Sequence, residues 1–262
     1  KLLQESLKTP PVTVRVNTVK TTPDLLIKKL AESKIKAVNA ETENALILNV
    51  TGDISACKPY KQGLFHIQDK ASQTAAAVLS PKSGDRVLDM CAAPGGKSFT
   101  LAEIMENKGE ITACDLYEQR VGLIKKGSER LCLDIIKPVC ADASVFNPEF
   151  GQFDCILCDV PCSGLGVLRR KPDIKYRKPE DLNKLADLQK KILKNALSYL
   201  KKGGRLLYST CTLRREENEK LVNSVIIEYN DVHKAYEHTY MPHIDKTDGF
   251  YCALLIKGDN TA

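Results

Sequence analysis

Residues 85–105 read DRVLDMCAAPGGKSFTLAEIM, and this stretch decides the fold because it joins three kinds of segment in one order. The segment DRVLDMC predicts a strand, the glycine-rich segment AAPGGKS predicts a tight turn, and FTLAEIM predicts a helix. Gly95 and Gly96 allow the backbone to approach a ligand closely and leave free amides at the N-terminus of the helix. A strand, a turn and a helix in this order form the repeating unit of an α/β fold.

The same unit is repeated along the rest of the chain. Further strands are predicted at GEITACD, IIKPVCAD, FDCILCDV and GGRLLYSTC, with helices at EQRVGLIKKGSERL and DLNKLADLQKKILKNALSYLKK. The second of these helices has one apolar stripe and is expected to end at Gly203. Alternating strands and helices predict a doubly wound, mostly parallel sheet. The last segment, GFYCALLIKG, predicts an added edge or antiparallel strand.

A smaller unit precedes the first repeat. Between residues 11 and 65, the strand-like segments VTVRVNT, NALILNV and GLFHI flank the amphipathic segment PDLLIKKLAES, which predicts a small α+β subdomain. Asp69 or Ser72 is expected to cap the next helix, SQTAAAVL, which Pro81 ends. The predicted division is residues 1–68 for the N-terminal linker and α+β subdomain, and residues 69–262 for the α/β domain.

The composition limits the class of protein. Lysine and arginine exceed aspartate and glutamate by 39 − 33 = 6, an excess that permits a polyanionic partner. The 10 cysteines lie mostly inside apolar runs, which is typical of a reducing compartment, and no run approaches the roughly 20 apolar residues that span a bilayer. We therefore expect a cytoplasmic protein. Because the chain begins at Lys1 and soon enters a strand, we also expect a further N-terminal region in the natural protein.

Acidic and sulfur-bearing residues follow the predicted strands at their carboxyl ends, where an open α/β sheet binds its ligands. Asp115 lies 115 − 91 = 24 residues after Cys91, near the spacing at which an acid accepts hydrogen bonds from a ribose diol. This pair predicts a cofactor that contains a nucleoside. The full set of strand-end residues is Cys91–Lys97, Asp115, Asp142, Asp159, Cys162 and Cys211.

Other interpretations of the glycine-rich turn stay open at this point. Gly96, Lys97 and Ser98 fit the end of a phosphate-binding P-loop, and FDCILCD resembles the acidic strand that would hold magnesium, but Cys91 stands where the P-loop needs its first glycine. The turn also lacks the G-x-G-x-x-G pattern of dinucleotide sites. A turn with no ligand is the third interpretation. A nucleoside cofactor without phosphates, such as S-adenosylmethionine, fits both the turn and Asp115.

A zinc site is the alternative use of the cysteines, because Cys155, Cys158 and Cys162 have ligand-like spacing. Residues spaced along one strand do not converge on a tetrahedral centre, and no H-x-E partner of the deaminase type occurs. We therefore expect no metal. The remaining cysteines of the strands are interpreted as buried packing residues, and they are Cys114, Cys140, Cys155, Cys158 and Cys252.

Three motifs, DMCAAPGGKS, CDVPCSGLG and YSTCTLRREEN, resemble the cofactor and two-cysteine motifs of the RNA 5-methylcytosine methyltransferases, the RsmB/Sun (Fmu) and NSUN group. The segments VRVNT, FHIQDKASQ and DGFYCALL extend the resemblance over almost the whole chain. The segment GLGVLRRKPDIKYRK resembles the segment that follows the first cysteine in the RsmB branch of this group. That branch methylates a cytosine of 16S ribosomal RNA. The resemblance implies a Rossmann-like methyltransferase fold with a mostly parallel, seven-stranded sheet, and S-adenosylmethionine as the cofactor.

The resemblance also implies catalytic roles. Cys211 is implied as the nucleophile and Cys162 as the group that assists product release. Asp159 is implied to bind the cytosine edge, and Lys97 to hold and polarise the base. A thiol suits this chemistry because carbon 5 of cytosine is too electron-poor to accept a methyl group until a nucleophile has added at carbon 6.

The residues of the glycine-rich turn are implied to surround the methionine part of the cofactor, and two acids to bind its ribose and adenine. The residues implied to bind S-adenosylmethionine are Cys91, Ala92, Ala93, Pro94, Gly95, Gly96, Lys97, Asp115, Arg120, Asp142 and Asp159.

The segment RRKPDIKYRK, residues 169–178, has six basic residues against one acid and follows Cys162 closely. We expect this segment to contact RNA phosphates, with Tyr176 as a stacking group, and we expect the N-terminal subdomain to be RRM-like and to bind RNA as well. The predicted RNA-binding residues are Arg169, Arg170, Lys171, Lys175, Tyr176 and Arg177.

Two departures from the family pattern affect the expectations. Val160 stands where the family usually has alanine, and it could shift Cys162 slightly. The NusB-like domain that precedes the methyltransferase in the RsmB branch is absent from this sequence, so RNA affinity is expected to be weak. The expected partner is 16S rRNA or a small-subunit assembly intermediate, with no membrane and no metal, and the protein is expected to be a monomer. A tRNA methyltransferase of the same family and a catalytically silent ribosome-assembly factor are the alternatives.

Overall fold

The computed structural model describes residues 1–6, 8–50, 52–176 and 179–258 of the chain. Within these residues the strands form two sheets, one with four strands and one with seven. The helices surround them. Among the described helices, none has an apolar stretch of membrane-spanning length.

The N-terminal unit is a four-stranded antiparallel sheet with the strand order β2-β3-β1-β4. Helix α2 covers this sheet through Leu26 and Leu30, which are four residues apart and fully buried. Thr22 caps α2 by accepting a hydrogen bond from the amide of Leu25. The elements are α1 (Leu2–Glu5), β1 (Val12–Val16), α2 (Pro23–Glu32), β2 (Lys36–Asn39), β3 (Ala45–Asn49), α3 (Lys58–Lys61) and β4 (Phe65–Ile67), with a 3₁₀ turn at Ile54–Ala56.

The second sheet has the strand order β10-β11-β9-β8-β5-β6-β7. Strands β5 to β9 pair in parallel, whereas β11 is antiparallel to both β9 and β10. This sheet confirms the predicted α/β class with a mostly parallel, seven-stranded sheet. Its strands are β5 (Arg86–Asp89), β6 (Glu110–Asp115), β7 (Ile136–Cys140), β8 (Phe153–Asp159), β9 (Leu200–Thr210), β10 (Val232–Tyr240) and β11 (Phe250–Lys257).

Helices pack on both faces of the large sheet because neighbouring strand residues face opposite sides. Val87 and Leu157 belong to the apolar cluster with helices α4, α5 and α6, while Leu88 and Ile156 belong to the cluster with α7 and α8. These two clusters are the core of the large domain. The helices are α4 (Lys70–Leu79), α5 (Gly96–Ile104), α6 (Glu118–Leu131), α7 (Pro179–Tyr199), α8 (Glu219–Ile226) and α9 (Pro242–Asp245), and 3₁₀ turns occur at Pro148–Phe150 and Pro172–Tyr176.

The structure confirms one expected helix boundary and corrects another. Asp69 caps α4 by accepting a hydrogen bond from the amide of Ala71. The expectation that the long helix α7 ends at Gly203 is wrong, because α7 ends at Tyr199 and the next residue already pairs with β8. Gly203 instead lies inside β9 with a φ of +73°, where the β8–β9 register shifts.

The end of the chain also differs from expectation. Strand β11 is antiparallel as predicted, but it is not at the edge, because β10 lies outside it. Strand β10 reads VHKAYEHTY and has mostly exposed or half-buried side chains, so its apolar alternation is weak. Strand β10 therefore forms because it pairs with the neighbouring strand β11.

Asn17 joins the two units at a buried junction. Its side-chain amide donates to the carbonyl oxygen of Gly63 at 2.9 Å and to that of Leu131 at 2.8 Å. Its side-chain oxygen accepts from the amide of Val19 at 3.2 Å. Leu131 ends α6 of the large domain, so one fully buried side chain ties the small sheet to the large domain.

We predict that Asn17→Ala destabilises the protein by about 2–4 kcal/mol, because it leaves two buried carbonyl groups without this donor. Urea unfolding measured by circular dichroism checks this value. Asn39→Ala, at an exposed position of β2, is the matched control and should change stability by less than about 0.5 kcal/mol. Equal urea midpoints for the two variants would contradict the role of Asn17.

Candidate active site

The two thiols singled out in the sequence meet at the carboxyl ends of β8 and β9. These strands pair in parallel with Asp159 opposite Ser209, so the loops that follow them leave the same edge of the sheet. The sulfur atoms of Cys162 and Cys211 lie 3.0 Å apart. The amide of Cys211 also donates to the sulfur of Cys162 at 3.3 Å. Two residues 49 positions apart in the chain therefore form one thiol pair.

The environment makes the two thiols chemically different. The pKa of Cys211 lies below its usual value, chiefly because the Cys162 thiol hydrogen-bonds to it, while burial and Asp159 oppose this shift and Lys97 and Lys171 assist it. The pKa of Cys162 lies well above its usual value because of the same hydrogen bond, burial and the nearby charge on Cys211. Cys211 is therefore the more acidic thiol of the pair, and a thiolate on Cys211 would accept a hydrogen bond from the Cys162 thiol.

Lys97 and Asp159 form an ion pair beside the thiols. The ammonium group lies 2.6 Å from Oδ2 of Asp159, and the hydroxyl of Ser209 donates to Oδ1 at 2.8 Å. Burial acts to lower the pKa of Lys97, but the attraction of Asp159 outweighs it and the pKa is raised. Lys97 therefore stays charged and supplies a positive group near the Cys211 sulfur.

The glycine-rich turn lies between β5 and α5 and has a shape that glycine permits. Gly95 has a φ of +111°, and a Cβ atom there would lie 2.4 Å from the ring of Phe99. A Cβ atom on Gly96 would meet nothing closer than 3.9 Å, so its side remains open. A cavity of about 230 Å³ lies against this turn and is lined by Lys97 and Asp159, among others.

Asp89 also lines this cavity, although no site role for it was predicted from the sequence. The carboxyl group is 1% exposed and accepts a hydrogen bond from Ser98 at 2.6 Å. Burial raises its pKa to about 7. Its Oδ1 atom has no hydrogen-bond partner among the described residues, so a donor group in the cavity would satisfy it. Asp89 ends β5 just as Asp115 ends β6, so its position at a strand end would have identified it as a candidate site residue.

The two acids predicted to bind ribose and adenine lie at the ends of β6 and β7. Asp115 is buried, and its carboxylate accepts from the amide of Ala93 at 3.3 Å and pairs with Arg120 at 3.2 Å. Arg120 in turn donates to the carbonyl oxygen of Ala93 at 2.8 Å, so it supports the turn as well. Asp142 is exposed and accepts from the amide of Ser144 at 2.8 Å.

The cysteines outside the pair divide into buried and exposed groups. Cys155 and Cys158 are buried on opposite faces of β8, in different apolar clusters, and they cannot share a metal ion. No group of potential metal ligands occurs within the described residues. Cys114 and Cys252 are buried as expected. The expectation for Cys140 is wrong, because it is exposed at the end of β7, the outermost strand.

Val160 does not separate the thiols. Its side chain is buried with the cluster under α7, and its amide donates to the carbonyl oxygen of Ser209 at 3.1 Å. This bond continues the β8–β9 pairing for one residue. Cys162, two residues later, still lies within 3.0 Å of Cys211.

The basic segment after Cys162 is partly used for internal ion pairs. The side chain of Arg169 is 8% exposed and pairs with the buried Asp248, and Arg170 pairs with both Asp248 and Asp69. Lys171, Lys175 and Tyr176 are exposed, Tyr176 by 75%. Arg177 lies outside the described residues. Within the described part of the segment, Lys171, Lys175 and Tyr176 are thus the exposed predicted RNA-binding residues without these internal ion pairs to Asp248 and Asp69, and no local pattern in the sequence identifies Asp248 as the long-range partner.

Comparison with known sequences places this site in a family. Residues 76–256 match the family described as 16S rRNA methyltransferase RsmB/F. The chain belongs to the RsmB/F family. Residues 1–55 also match the ferredoxin-like domain described for RsmF/B-like methyltransferases.

Curated relatives of the RsmB/F family share about a third of their residues with this chain. The probable ribosomal RNA small subunit methyltransferase B of Bacillus subtilis is 38% identical, over 98% of this chain and 62% of its own length. The ribosomal RNA small subunit methyltransferase B of Proteus mirabilis is 33% identical, over 98% of this chain and 61% of its own length. The chain therefore spans about 62% of the length of the first of these relatives.

Solved structures share the fold of this chain. The crystal structure of PH0851 has a TM-score of 0.93 at 31% identity and covers 98% of this chain and 62% of its own. A methyltransferase homolog from Pyrococcus horikoshii has a TM-score of 0.86 at 28% identity, over 98% of this chain and 89% of its own. NSun6 from P. horikoshii, solved with SFG, has a TM-score of 0.90 at 23% identity, over 99% of this chain and 94% of its own, and shows the fold.

We predict that Cys162→Ala raises the pKa of Cys211, because the hydrogen bond that stabilises its thiolate is removed. Alkylation of Cys211 by iodoacetamide, followed by peptide mass spectrometry across pH, should give a midpoint shifted to higher pH. Cys132→Ala removes an exposed thiol that has no place in the pair and should leave the midpoint unchanged. An unshifted midpoint in Cys162→Ala would show that Cys162 does not tune Cys211.

Proposed function

We propose that this protein is an S-adenosylmethionine-dependent RNA cytosine-C5 methyltransferase that acts on 16S rRNA in the cytoplasm. The observation that carries the proposal is the thiol pair, with 3.0 Å between the Cys162 and Cys211 sulfurs, beside the Lys97–Asp159 ion pair. Membership of the RsmB/F family, and relatives named as ribosomal RNA small subunit methyltransferases, support the substrate class.

The residues around the glycine-rich turn fit S-adenosylmethionine. Asp89 offers an unpartnered buried oxygen to an amino group, and the open side of Gly96 leaves room beside the turn Cys91–Lys97. Asp115 and Asp142 would bind the ribose and adenine at the ends of the next two strands. When bound, this cofactor supplies an electrophilic methyl group for carbon 5 of the base.

The chain's own residues would activate the base by covalent addition. The Cys211 thiolate adds to carbon 6 of cytosine, so a carbon–sulfur bond forms, the 5,6 double bond opens and carbon 5 becomes an electron-rich enamine carbon. Asp159 and Lys97 contact the cytosine edge, where Asp159 favours a proton on N3 and Lys97 polarises the ring as negative charge builds there. Carbon 5 is then nucleophilic enough to take the methyl group.

Release of the product reverses the covalent bond. The proton on carbon 5 passes to water, the 5,6 double bond reforms, and the bonding electron pair returns to the Cys211 sulfur. The hydrogen bond from Cys162 stabilises the departing thiolate, which is the same interaction that lowers the pKa of Cys211 in the free protein. One contact thereby favours both the attack and the release.

RNA would bind along two parts of the chain. Lys171, Lys175 and Tyr176 are exposed and suit phosphate contacts and base stacking, and Lys171 is near enough to Cys211 to help lower its pKa. We assign residues 1–68 to an RNA-binding subdomain and residues 69–262 to the catalytic domain. The reacting cytosine must leave its stack to reach Cys211, so a loop or a distorted helix suits as the target.

Cofactor binding gives the first test. Isothermal titration calorimetry should detect S-adenosylhomocysteine and no ATP, and Asp115→Ala should weaken S-adenosylhomocysteine binding by about tenfold or more. Asp134→Ala, at an exposed acid, is the matched control and should bind normally. Binding of ATP alone would support the P-loop interpretation instead.

Covalent catalysis gives the second test. Cys211→Ser should lose methyl transfer to 16S rRNA by on the order of 10³-fold or more while keeping its RNA affinity, because a hydroxyl is rarely ionised at neutral pH. Cys162→Ala should accumulate a denaturant-resistant protein–RNA band, and the variant with both Cys162→Ala and Cys211→Ser should lack it. Bisulfite sequencing identifies the methylated cytosine. Full activity of Cys211→Ser, or normal turnover of Cys162→Ala with no band, would contradict these roles.

A further inference from the structure

A buried polar network lies behind the thiol pair, and the proposed chemistry does not use it. Its centre is Glu217 and Asn218, which directly precede α8 and are 0% and 1% exposed. Burying a carboxylate is costly unless hydrogen bonds compensate. The partners of these two side chains show where the compensation comes from.

Glu217 holds the loop that carries Cys162. Its Oε2 atom accepts from the amide of Ser163 at 2.9 Å and from the side chain of Gln189 at 2.9 Å. The same Gln189 amide group donates to the carbonyl oxygen of Pro161 at 2.8 Å. The residues on both sides of Cys162 are thus fixed to one carboxylate, either directly or through Gln189.

Asn218 holds the loop that carries Cys211 in the same manner. The hydroxyl of Thr210 donates to its Oδ1 atom at 2.6 Å, and its Nδ2 atom donates to the carbonyl oxygen of Thr212 at 3.0 Å. The residues on both sides of Cys211 are therefore fixed to Asn218, which directly follows Glu217. A hydroxyl contact of 2.7 Å between Ser163 and Thr212 joins the two loops.

The thiol contact is too weak to set this geometry by itself, because a thiol is a weak hydrogen-bond donor and a weak acceptor. Position matters greatly for the proposed reaction, since a displacement of about 1 Å can cost a reaction about 100-fold. We infer that Glu217 and Asn218 form a clamp that sets the distance between the Cys162 and Cys211 sulfurs, with Glu217 as the positioning residue. The catalytic consequence of the clamp rests on the proposed function, whereas the clamp itself does not.

The clamp can be tested without RNA or a methyl donor. Diamide oxidises two neighbouring thiols to a disulfide, taking two electrons and two protons as it becomes the hydrazine, and the rate reports how often the sulfurs meet. Glu217→Gln replaces the carboxylate by an amide with a single oxygen. This oxygen cannot both accept the hydrogen bonds from Ser163 and Gln189 and pair with Arg214. The rate of formation of the Cys162–Cys211 disulfide, followed by peptide mass spectrometry, should fall at least tenfold.

Glu216→Gln is the matched control. Glu216 is the preceding residue, its side chain is 51% exposed, and it pairs with Lys220 at 3.0 Å. The control removes the same charge from the same loop and should form the disulfide at the wild-type rate. A wild-type rate in Glu217→Gln, or equal slowing in both variants, would overturn the clamp.

A second readout separates positioning from general loss of structure. In folded Glu217→Gln, the alkylation midpoint of Cys211 should move to higher pH, because the thiols no longer share their hydrogen bond. If this variant yields no folded protein, Thr212→Val removes the hydroxyl that joins the two loops, together with its contact to the amide of Arg214. This variant should slow the disulfide at least threefold, and an unchanged rate would overturn the clamp. A wild-type protein that fails to methylate RNA would refute the proposed function and leave the disulfide comparison valid.

Discussion

The parallel pairing of β8 with β9 is the constraint on which the site depends. Because Asp159 lies opposite Ser209, the two strands end at the same edge of the sheet, and the loops after them start side by side. This register brings the loops of Cys162 and Cys211 together, and the two sulfurs lie 3.0 Å apart. A shift of one residue would turn one loop to the opposite face and separate the sulfurs. The buried polar network of Glu217 and Asn218 then fixes what the strands have brought together.

Charge around the pair is balanced so that one sulfur can be a thiolate. Burial and Asp159 disfavour a negative charge on Cys211, while the hydrogen bond from Cys162 and the positive groups of Lys97 and Lys171 favour it. Lys97 links two parts of the site, because it belongs to the glycine-rich turn and pairs with Asp159 at the end of β8. The glycine-rich turn and the end of β8, beside the thiol pair, are therefore joined by one ion pair.

Much of this arrangement can be predicted from the sequence because it is local or repetitive. The segment 85–105 specifies a strand, a turn and a helix within one stretch, and Cys162 and Cys211 follow apolar strands directly. Long-range partners give no such signal. Arg169 and Arg170 look like free RNA contacts until Asp248, almost 80 residues away, is seen to pair with both. Strand β10 was missed for the same reason, because its pairing with β11 rather than its own pattern forms it.

The most direct measurement of the central claim is which sulfur bonds to the base. Fluorine on carbon 5 cannot leave as a proton does, so 5-fluorocytosine in the RNA should stop the reaction while the carbon–sulfur bond is intact. After incubation of the protein with such an rRNA fragment and methyl donor, peptide mass spectrometry should find the nucleotide on Cys211 and not on Cys162. An adduct on Cys162, or methylation of unmodified RNA with no adduct on the fluorinated RNA, would contradict the account.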